Sequence, residues 1–275
     1  MKPNKFDYVR PTRLEEALDI LASGTDSVRV IAGGLSLVPM MNYRLLEPSI
    51  LLDIVHIESL NYIKADEKTI EVGAVTPQAK LLAWNQLSTL SPLLAKGMPN
   101  IGHFQTRSRG TVGGSIAHSD PSAELALCLA VLEGSVTLMS KRGARTVKAA
   151  DFQIGLMMTD KRGDEMVTAV HFPVAEKNTG YAFEEMSMRH GDLAICAVAV
   201  AATRDKIRIG VGGVADKPTV REWPALSGKA LDDALNEFAW DLGGMDDVHA
   251  TAQYRRQLVR NLGRKAIMEA QQCCK

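Results

Sequence analysis

Two pairs of adjacent glycines constrain this chain more than any other feature of its sequence. Gly33-Gly34 comes directly after a β-branched run, Val28 to Ile31, that predicts a strand, and Gly113-Gly114 closes a long stretch rich in Gly, Asn, Ser, Thr and Arg. Adjacent glycines let the backbone turn with positive φ and approach a ligand closely. Successive N–H groups exposed in such a turn bind anions. For the first pair alone, a plain strand-to-helix turn is the alternative interpretation.

The second pair lies in a segment with further polar groups. Residues 97–114 predict a long irregular loop between well-patterned segments, which favours a functional loop. The run from Arg109 to Ser115 adds N–H donors and two hydroxyls, and the carboxylates of Asp120 and Glu124 follow. Carboxylates accept hydrogen bonds from ribose hydroxyls. Asp120 can alternatively cap a helix predicted to begin at Pro121, and both roles are compatible. Two such loops can converge on one diphosphate.

The charge balance excludes several classes of partner. The chain has 275 residues with 32 Lys+Arg and 32 Asp+Glu, a formal net charge of zero. This balance argues against nucleic-acid binding through a basic surface and against a polybasic membrane-surface protein. The longest apolar run, Leu193 to Ala202, is about half a membrane span, so no span is predicted. A neutral chain would hold a diphosphate with N–H groups and hydroxyls.

Cysteine usage and the N-terminus predict a cytoplasmic protein. Cys128 and Cys196 lie in apolar runs, where buried free thiols are common, and no CxxC spacing occurs. The first residues lack the apolar core of a signal peptide. We therefore expect no disulfides and no iron–sulfur ligands in this chain. The scattered histidines lack ligand spacing, so no metal site is predicted.

Apolar periodicity predicts the order of helices and strands. Thr12 and Glu15 have the spacing of a capping box for a first helix that Gly24 would end. The succession of short strands from residue 135 on favours an antiparallel sheet over βαβ units. Two amphipathic helices come last, and a domain boundary is predicted near Pro173. The predicted strands after the first lie at 50–54, 69–72, 135–139, 166–172, 182–188, 194–201 and 207–211, and the last two helices span 231–242 and 254–267.

Four separated motifs resemble one known family. The runs AGGLSLVPMM at 32–41 and RSRGTVGGSIAHSDPSAEL at 107–125 are similar to the two FAD-binding signatures of the molybdenum hydroxylase flavoprotein, or medium, subunits. This family is of the carbon monoxide dehydrogenase and xanthine dehydrogenase type. RHGDLA at 189–194, and DVHA at 247–250 with YRR at 254–256, resemble its C-terminal motifs. The resemblance spans essentially the whole chain, in order and at the expected spacing.

The resemblance implies an α+β fold in two domains. An FAD-binding domain of the vanillyl-alcohol-oxidase type would cover residues 1–173, in two subdomains of roughly 1–56 and 57–173. A small C-terminal α+β domain, an antiparallel sheet with helices, would cover residues 174–275.

The resemblance also implies which residues contact FAD. The first loop would line the diphosphate, the second would form the opposite wall, two carboxylates would lie near the ribityl and ribose groups, and two apolar residues would contact the cofactor rings. No side chain is predicted to act as a general base or nucleophile, and His118 is a candidate flavin contact. The first-loop residues are Ala32, Gly33, Gly34, Leu35, Ser36 and Leu37, and the second-loop residues are Thr111, Gly113, Gly114 and Ser115. The carboxylates are Asp120 and Glu124, and the apolar residues are Ile101 and Val167.

One position departs from the family. Glu184 stands where some relatives carry a Lys close to the flavin, so that role is not carried over. Loss of a cation there would make the anionic reduced flavin less favourable. Glu184→Lys would then raise the reduction potential.

The implied function is electron transfer in a heterotrimeric molybdenum hydroxylase. The chain would take electrons from [2Fe-2S] clusters of a small subunit, which receive them from the molybdenum–pterin cofactor of a large subunit. It would pass them through FAD to NAD, oxygen or a quinone-linked acceptor, and a dimer of heterotrimers is expected. The cofactor supplies the redox chemistry, and the protein binds and tunes it. Two alternatives stay open: a stand-alone flavin reductase, and a flavin-free assembly factor that keeps the fold.

Overall fold

The computed structural model describes residues 2–23 and 27–274, and the first part of the chain is a small parallel sheet with two helices. The strand order is β1-β3-β2, which leaves β2 at an edge. Buried Ala17 and Leu18 of the first helix share a core with Leu52 of the sheet. The elements are β1 Asp7–Val9, α1 Leu14–Ala22, β2 Val28–Ile31, α2 Leu37–Asn42 and β3 Ile50–Asp53.

The second part contains a five-stranded antiparallel sheet of order β4-β5-β10-β6-β7 and most of the helices. Its elements are β4 Ile63–Ala65, β5 Thr69–Gly73, α3 Gln78–Leu82, α4 Leu87–Leu90, α5 Pro92–Gly97, α6 Phe104–Arg109, α7 Val112–His118, α8 Glu124–Val131, β6 Ser135–Ser140, β7 Gly143–Lys148, α9 Ala149–Phe152, β8 Gln153–Gly155, β9 Met158–Thr159 and β10 Met166–Pro173, with single 3-10 turns at Glu58–Leu60 and Met98–Asn100. Helix α8 is apolar all round except at its first residue and is buried along its length, as expected for a core helix.

The third part is a four-stranded antiparallel meander with two helices, β11 Gly180–Met186, β12 Cys196–Ala202, β13 Lys206–Gly212, β14 Thr219–Pro224, α10 Gly228–Asp241 and α11 Ala252–Cys273. The antiparallel sheet predicted from the succession of short strands is confirmed. One face of the sheet shares a core with α10 and α11, and the other packs against α5 and α8 of the second part. In the described ranges, no helix has the length and apolarity of a membrane span.

The start of the first helix differs from the prediction. Helix α1 begins at Leu14 with Arg13 as its N-cap and no side-chain cap, so the predicted capping box is wrong. The nearby carboxylate of Glu16 accepts instead from Arg13 Nε at 2.8 Å. The predicted helix end, Gly24, lies outside the described residues.

The central segment is more regular than predicted. Residues 97–114 contain α6 and the beginning of α7, so the long irregular loop is wrong. Helix α8 begins at Glu124 rather than at Pro121, because Asp120 Oδ1 accepts the N–H of Ser122 at 2.8 Å and closes a separate turn first. That side-chain bond competes locally with the helix.

Candidate cofactor-binding site

The first glycine loop joins β2 to α2 and leaves its backbone N–H groups free. Gly34 has φ +77°, a conformation that favours glycine. The carbonyls of Gly34 and Ser36 point into α2, where they accept from Val38 N at 3.0 Å and Met40 N at 3.2 Å. Among the described residues, the N–H groups of residues 32–36 have no protein acceptor. A row of free N–H groups of this kind is an anion-binding surface.

The second glycine loop uses its N–H groups internally. Val112 N donates to Thr76 O and Gly113 N donates to Ala74 O, each at 3.0 Å. Gly114 N donates to Thr111 Oγ1 at 3.0 Å and so caps α7. The expectation that this loop supplies further backbone donors is therefore wrong for these three groups. The hydroxyls of Thr111 and Ser115 are what it can offer to a ligand.

The two loops lie against each other. A Cβ added at Gly33 would stand 2.3 Å from the carbonyl oxygen of Arg109, and one added at Gly114 would stand 3.9 Å from the Cβ of Ala32. Gly113 is equally tight, because a Cβ there would lie 2.6 Å from Cα of Ala74. The approaches at Gly33 and Gly113 need a glycine, whereas the one between Gly114 and Ala32 is an ordinary van der Waals contact. The structure therefore brings the two sequence-distant loops together as one surface.

The remaining first-loop residues flank this surface. Leu35 and Ser36 are exposed, and Leu37 begins α2 and is half-buried. The Ser36 side chain makes no cap bond to α2, so its hydroxyl is available to a ligand.

The two predicted carboxylates differ in burial. Asp120 is half-buried, and its Oδ1 is engaged in the turn to Ser122 N. Glu124 is 7% exposed. Burial raises the pKa of Glu124 to about 7; a hydrogen bond from its own backbone N–H opposes this, the charge of Asp120 adds to it, and Arg107 opposes it. Both carboxylates follow α7 directly, next to the second loop.

The two predicted apolar contacts are buried on either side of the second loop. Ile101 follows the 3-10 turn before α6, and its carbonyl accepts from Arg107 Nη1 at 2.8 Å. Val167 lies in β10 at a bulge, one residue before Thr168, whose carbonyl accepts from Ala74 N at 3.0 Å. Val167 is therefore linked through Ala74 to Gly113, although its own side chain belongs to the core of the sheet.

His118 and Glu184 have different surroundings. His118 is half-buried at the end of α7, and it has no side-chain partner in the part of the chain that the structure describes. Glu184 forms an ion pair with Lys265 of α11 at 2.8 Å, on the sheet face away from the glycine loops. The charge of Glu184 is thus paired within the chain, and the rise of the reduction potential expected in Glu184→Lys stays a prediction.

Comparison with known proteins gives the family. Residues 4–175 match the model of the FAD binding domain in molybdopterin dehydrogenase, and residues 181–270 match that of the CO dehydrogenase flavoprotein C-terminal domain. The chain belongs to the FAD-binding medium subunits of the molybdenum hydroxylases. It is thus an oxidoreductase flavoprotein subunit.

Relatives of this medium-subunit family cover the whole chain. The 6-hydroxypseudooxynicotine dehydrogenase complex subunit alpha of Paenarthrobacter nicotinovorans is 36% identical over 98% of this chain and 96% of its own length. The glyceraldehyde dehydrogenase medium chain of Sulfolobus acidocaldarius is 34% identical over 98% and 99%. A solved carbon monoxide dehydrogenase chain from Hydrogenophaga pseudoflava superposes with a TM-score of 0.94 at 29% identity, covering 100% of both chains. The α+β fold with a C-terminal antiparallel domain is confirmed.

The residues of this medium subunit fit FAD chemically. The free N–H groups of residues 32–36 are donors for a diphosphate, and the contact of Gly33 with Arg109 leaves no room for a side chain between the loops. The carboxyls of Asp120 and Glu124 are acceptors for hydroxyls. Surface cavities of about 370 and 530 Å³ lie elsewhere, lined only by residues of the third part.

One segment that supports the site was missed from the sequence. The segment 74–78 holds the second loop, since Gln78 N donates to Gly110 O at 2.8 Å and two carbonyls of the segment accept from that loop. No local sequence pattern predicts such a contact.

Proposed function

We propose that the chain binds FAD with its diphosphate on the free N–H groups of residues 32–36. The observation that carries this proposal is the contrast between the loops: among the described residues the first has no acceptors for these groups, whereas the N–H groups of Val112, Gly113 and Gly114 in the second donate within the chain. The hydroxyls of Ser36, Thr111 and Ser115 supplement the N–H groups. Local dipoles then hold the doubly negative group.

The carboxyls of Asp120 and Glu124 orient the cofactor by accepting from its ribityl or ribose hydroxyls. Ile101 supplies apolar surface to its rings, Val167 supports Gly113 through the backbone of Thr168 and Ala74, and Leu35 and Leu37 flank the diphosphate. FAD, when bound, supplies two-electron and one-electron redox chemistry. The residues of this chain bind and orient it, and none of them acts as a nucleophile or general base.

Within a complex, the chain would carry electrons from the [2Fe-2S] clusters of a small subunit, reduced by the molybdenum–pterin cofactor of a large subunit, to an external acceptor. The names of its relatives support a multi-subunit assembly, since they are a complex subunit and medium chains. The expected assembly is a dimer of heterotrimers, and NAD, oxygen and quinone-linked carriers are the acceptors to test. The domain boundary near Pro173 and a cytoplasmic location are part of the same proposal.

Isolation of the chain from its native source tests the proposal. Iron–sulfur and molybdenum–pterin subunits that co-purify with a flavin-containing chain support it. A yellow chain that purifies alone and reduces acceptors by itself would favour the stand-alone reductase. A colourless chain that takes up no added FAD would contradict both and favour the assembly factor.

A further inference from the structure

The two helices of the third part enclose a groove on their outer side. The end of α10 lies against the beginning of α11, where the guanidinium of Arg256 stands 4.3 Å from the ring centre of Trp240. One turn further along α11, Arg260 Nε donates to Asn236 Oδ1 of α10 at 2.9 Å. A cavity of about 530 Å³ opens here, and we call it the α10–α11 groove. Its lining consists of Trp240, Tyr254, Arg256 and Arg260, with one threonine and two glutamines.

The positive charge of α11 is left unneutralised only at this groove. The helix carries five basic side chains and one acidic one. Three of the basic side chains form ion pairs within the chain: Arg255 with Asp247, Arg264 with Asp232, and Lys265 with Glu184. In the part of the chain that the structure describes, the other two, Arg256 and Arg260, have no carboxylate within ion-pair distance. Both of them line the groove.

These two guanidinium groups are held in position by neutral acceptors. Arg256 Nη1 donates to Gly243 O at 2.6 Å, and Arg260 uses the side-chain oxygen of Asn236. A guanidinium has five N–H donors, so each group keeps donors for a ligand. Their spacing of four residues puts them on one face of the helix. Guanidinium groups fixed in this way bind carboxylates with little loss of side-chain freedom.

Aromatic surface accompanies the two charges. Trp240 is 59% exposed and Tyr254 is 45% exposed, and both line the groove beside the arginines. Trp, Tyr and Arg are the residues that most often dominate the binding energy of protein interfaces. The composition of the groove is therefore typical of a surface that another protein covers.

Charge complementarity identifies the chemistry of that protein. The groove has two unneutralised cations and no carboxylate in its lining, so an acidic segment complements it. A second copy of this chain is a poor occupant, because a twofold contact pairs a surface with itself and would bring the arginines of two copies together. The relatives are a complex subunit and a medium chain, which makes a different subunit the natural source of the segment.

We propose that the α10–α11 groove docks an acidic segment of a partner subunit. A carboxylate of that segment accepts from Arg256 and Arg260, and an apolar side chain packs against the exposed ring of Trp240. The inference rests on the multi-subunit assembly in the proposed function. It adds to that function the surface at which one partner binds, away from the glycine loops.

Zero-length cross-linking of the assembled complex tests what occupies the groove. The complex is isolated through a tag on the chain and treated with a water-soluble carbodiimide, which joins an amine to a carboxylate in contact with it. We expect Arg260→Lys to give an amide between position 260 and an Asp or Glu of a partner subunit, identified by mass spectrometry after digestion. The wild type gives no such link at this position, because a guanidinium does not form the amide.

Two positions on the same helix serve as controls for the reaction. Lys265 should link to Glu184 of its own chain in every sample, since their side chains lie 2.8 Å apart. Arg264→Lys should link to Asp232 of its own chain, because the native guanidinium already pairs with that carboxylate. A link to another subunit is thus expected only from the groove.

Loss of the charge should also weaken the complex. Arg260→Gln is expected to lower the affinity for the partner subunits by at least about tenfold, the effect of one interface hot spot. Dissociation of the complex on dilution measures this. The urea midpoint of the chain should stay that of the wild type, because Arg260 makes only one exposed hydrogen bond. Arg264→Gln, one turn along the helix, should leave the affinity for the partners unchanged.

The outcomes separate this inference from the proposed function. A link from position 260 to a second copy of the chain, or equal partner affinities in Arg260→Gln and the wild type, would overturn the inference alone. Absence of any link at position 260 would overturn it as well. Inorganic phosphate that raises the Tm of the wild type but not of Arg260→Gln would then identify a small anion as the occupant. A wild-type chain that purifies without partner subunits would overturn the proposed assembly and the inference together.

Discussion

Gly33 and Arg109 meet backbone to backbone, with the missing Cβ of the glycine placed 2.3 Å from the arginine carbonyl oxygen. Real side chains do not tolerate that distance, so any larger residue at 33 must push the two loops apart. The free N–H groups of residues 32–36 belong to one of these loops and the hydroxyl of Ser115 to the other. The joint surface therefore depends on this contact.

Gly33→Ala is expected to weaken FAD binding by at least about tenfold, because separated loops no longer reach one diphosphate. The cores of the three parts do not include Gly33, so the far-ultraviolet circular dichroism stays that of the wild type. Flavin fluorescence on titration with the stripped chain measures the affinity. Gly163→Ala is the matched control, since nothing lies within 4 Å of a Cβ there. Equal affinities in the two variants would contradict the joint surface.

Thr111→Ala removes the side-chain cap of α7 and is expected to lower the free energy of unfolding by about 1 kcal/mol. Thr251→Ala removes the same kind of cap, the bond from Tyr254 N at 3.2 Å, from α11 in the third part. Both variants lose similar stability in urea unfolding. Only Thr111→Ala also weakens FAD binding, because its hydroxyl lies on the second loop. Equal FAD affinities would show that Thr111 acts on the helix alone.

Local patterns predicted the elements whose apolar residues are continuous. The β-branched run Val28 to Ile31 became β2 with the predicted bounds, and the runs at 135–139 and 166–172 became β6 and β10 with ends shifted by one residue. The elements that were not predicted from the sequence have weaker apolar patterns. Strand β1, Asp7–Val9, is three residues long and mostly exposed, and α6 buries none of its residues. Both are held by tertiary contacts that a local pattern does not contain.

The site was predicted as a list of residues, and its geometry was not predictable. No sequence rule says that Ala74 and Thr76 accept from Gly113 and Val112, and this pairing decides which loop keeps free N–H groups.

Glu124 is expected to make the flavin-free chain less stable as the pH rises from about 4.5 to about 7. Its pKa is raised from 4.5 to about 7 by burial, so the folded state binds more protons than the unfolded state in this window. The stabilisation is complete below the unfolded pKa and is lost as the pH passes the folded one. Urea unfolding of the stripped chain at a series of pH values should give a flatter curve for Glu124→Gln.

Glu165 provides a control of opposite sign. Hydrogen bonds from Arg145 lower the pKa of Glu165 to about 2, so its contribution is present above pH 4.5 and is lost toward pH 2. Glu165→Gln should therefore flatten the acid limb of the stability curve and leave the limb between pH 4.5 and 7 unchanged. A Glu124→Gln curve parallel to the wild type in that window would contradict the raised pKa of the buried Glu124.

Arg255 joins three segments of the third part and is expected to be its most sensitive polar residue. It is 4% exposed, donates to Ile195 O at 2.6 Å, Gly213 O at 2.7 Å and Met245 O at 3.1 Å, and pairs with Asp247 at 2.5 Å. Arg255→Met removes these donors and leaves the carbonyls and a carboxylate without their partner. The expected loss in the free energy of unfolding is about 3 kcal/mol. Thermal or urea unfolding measures it.

The neighbouring Arg256 is the matched control for that loss. Its guanidinium lies 4.3 Å from the ring centre of Trp240 and donates to Gly243 O at 2.6 Å, in a more exposed position. Arg256→Met should lower the free energy of unfolding by about 1 kcal/mol, the scale of an exposed cation–π contact. Since neither residue lies at the glycine loops, both variants should bind FAD with wild-type affinity while folded. Equal stability losses in the two variants would show that burial of Arg255 does not set its contribution.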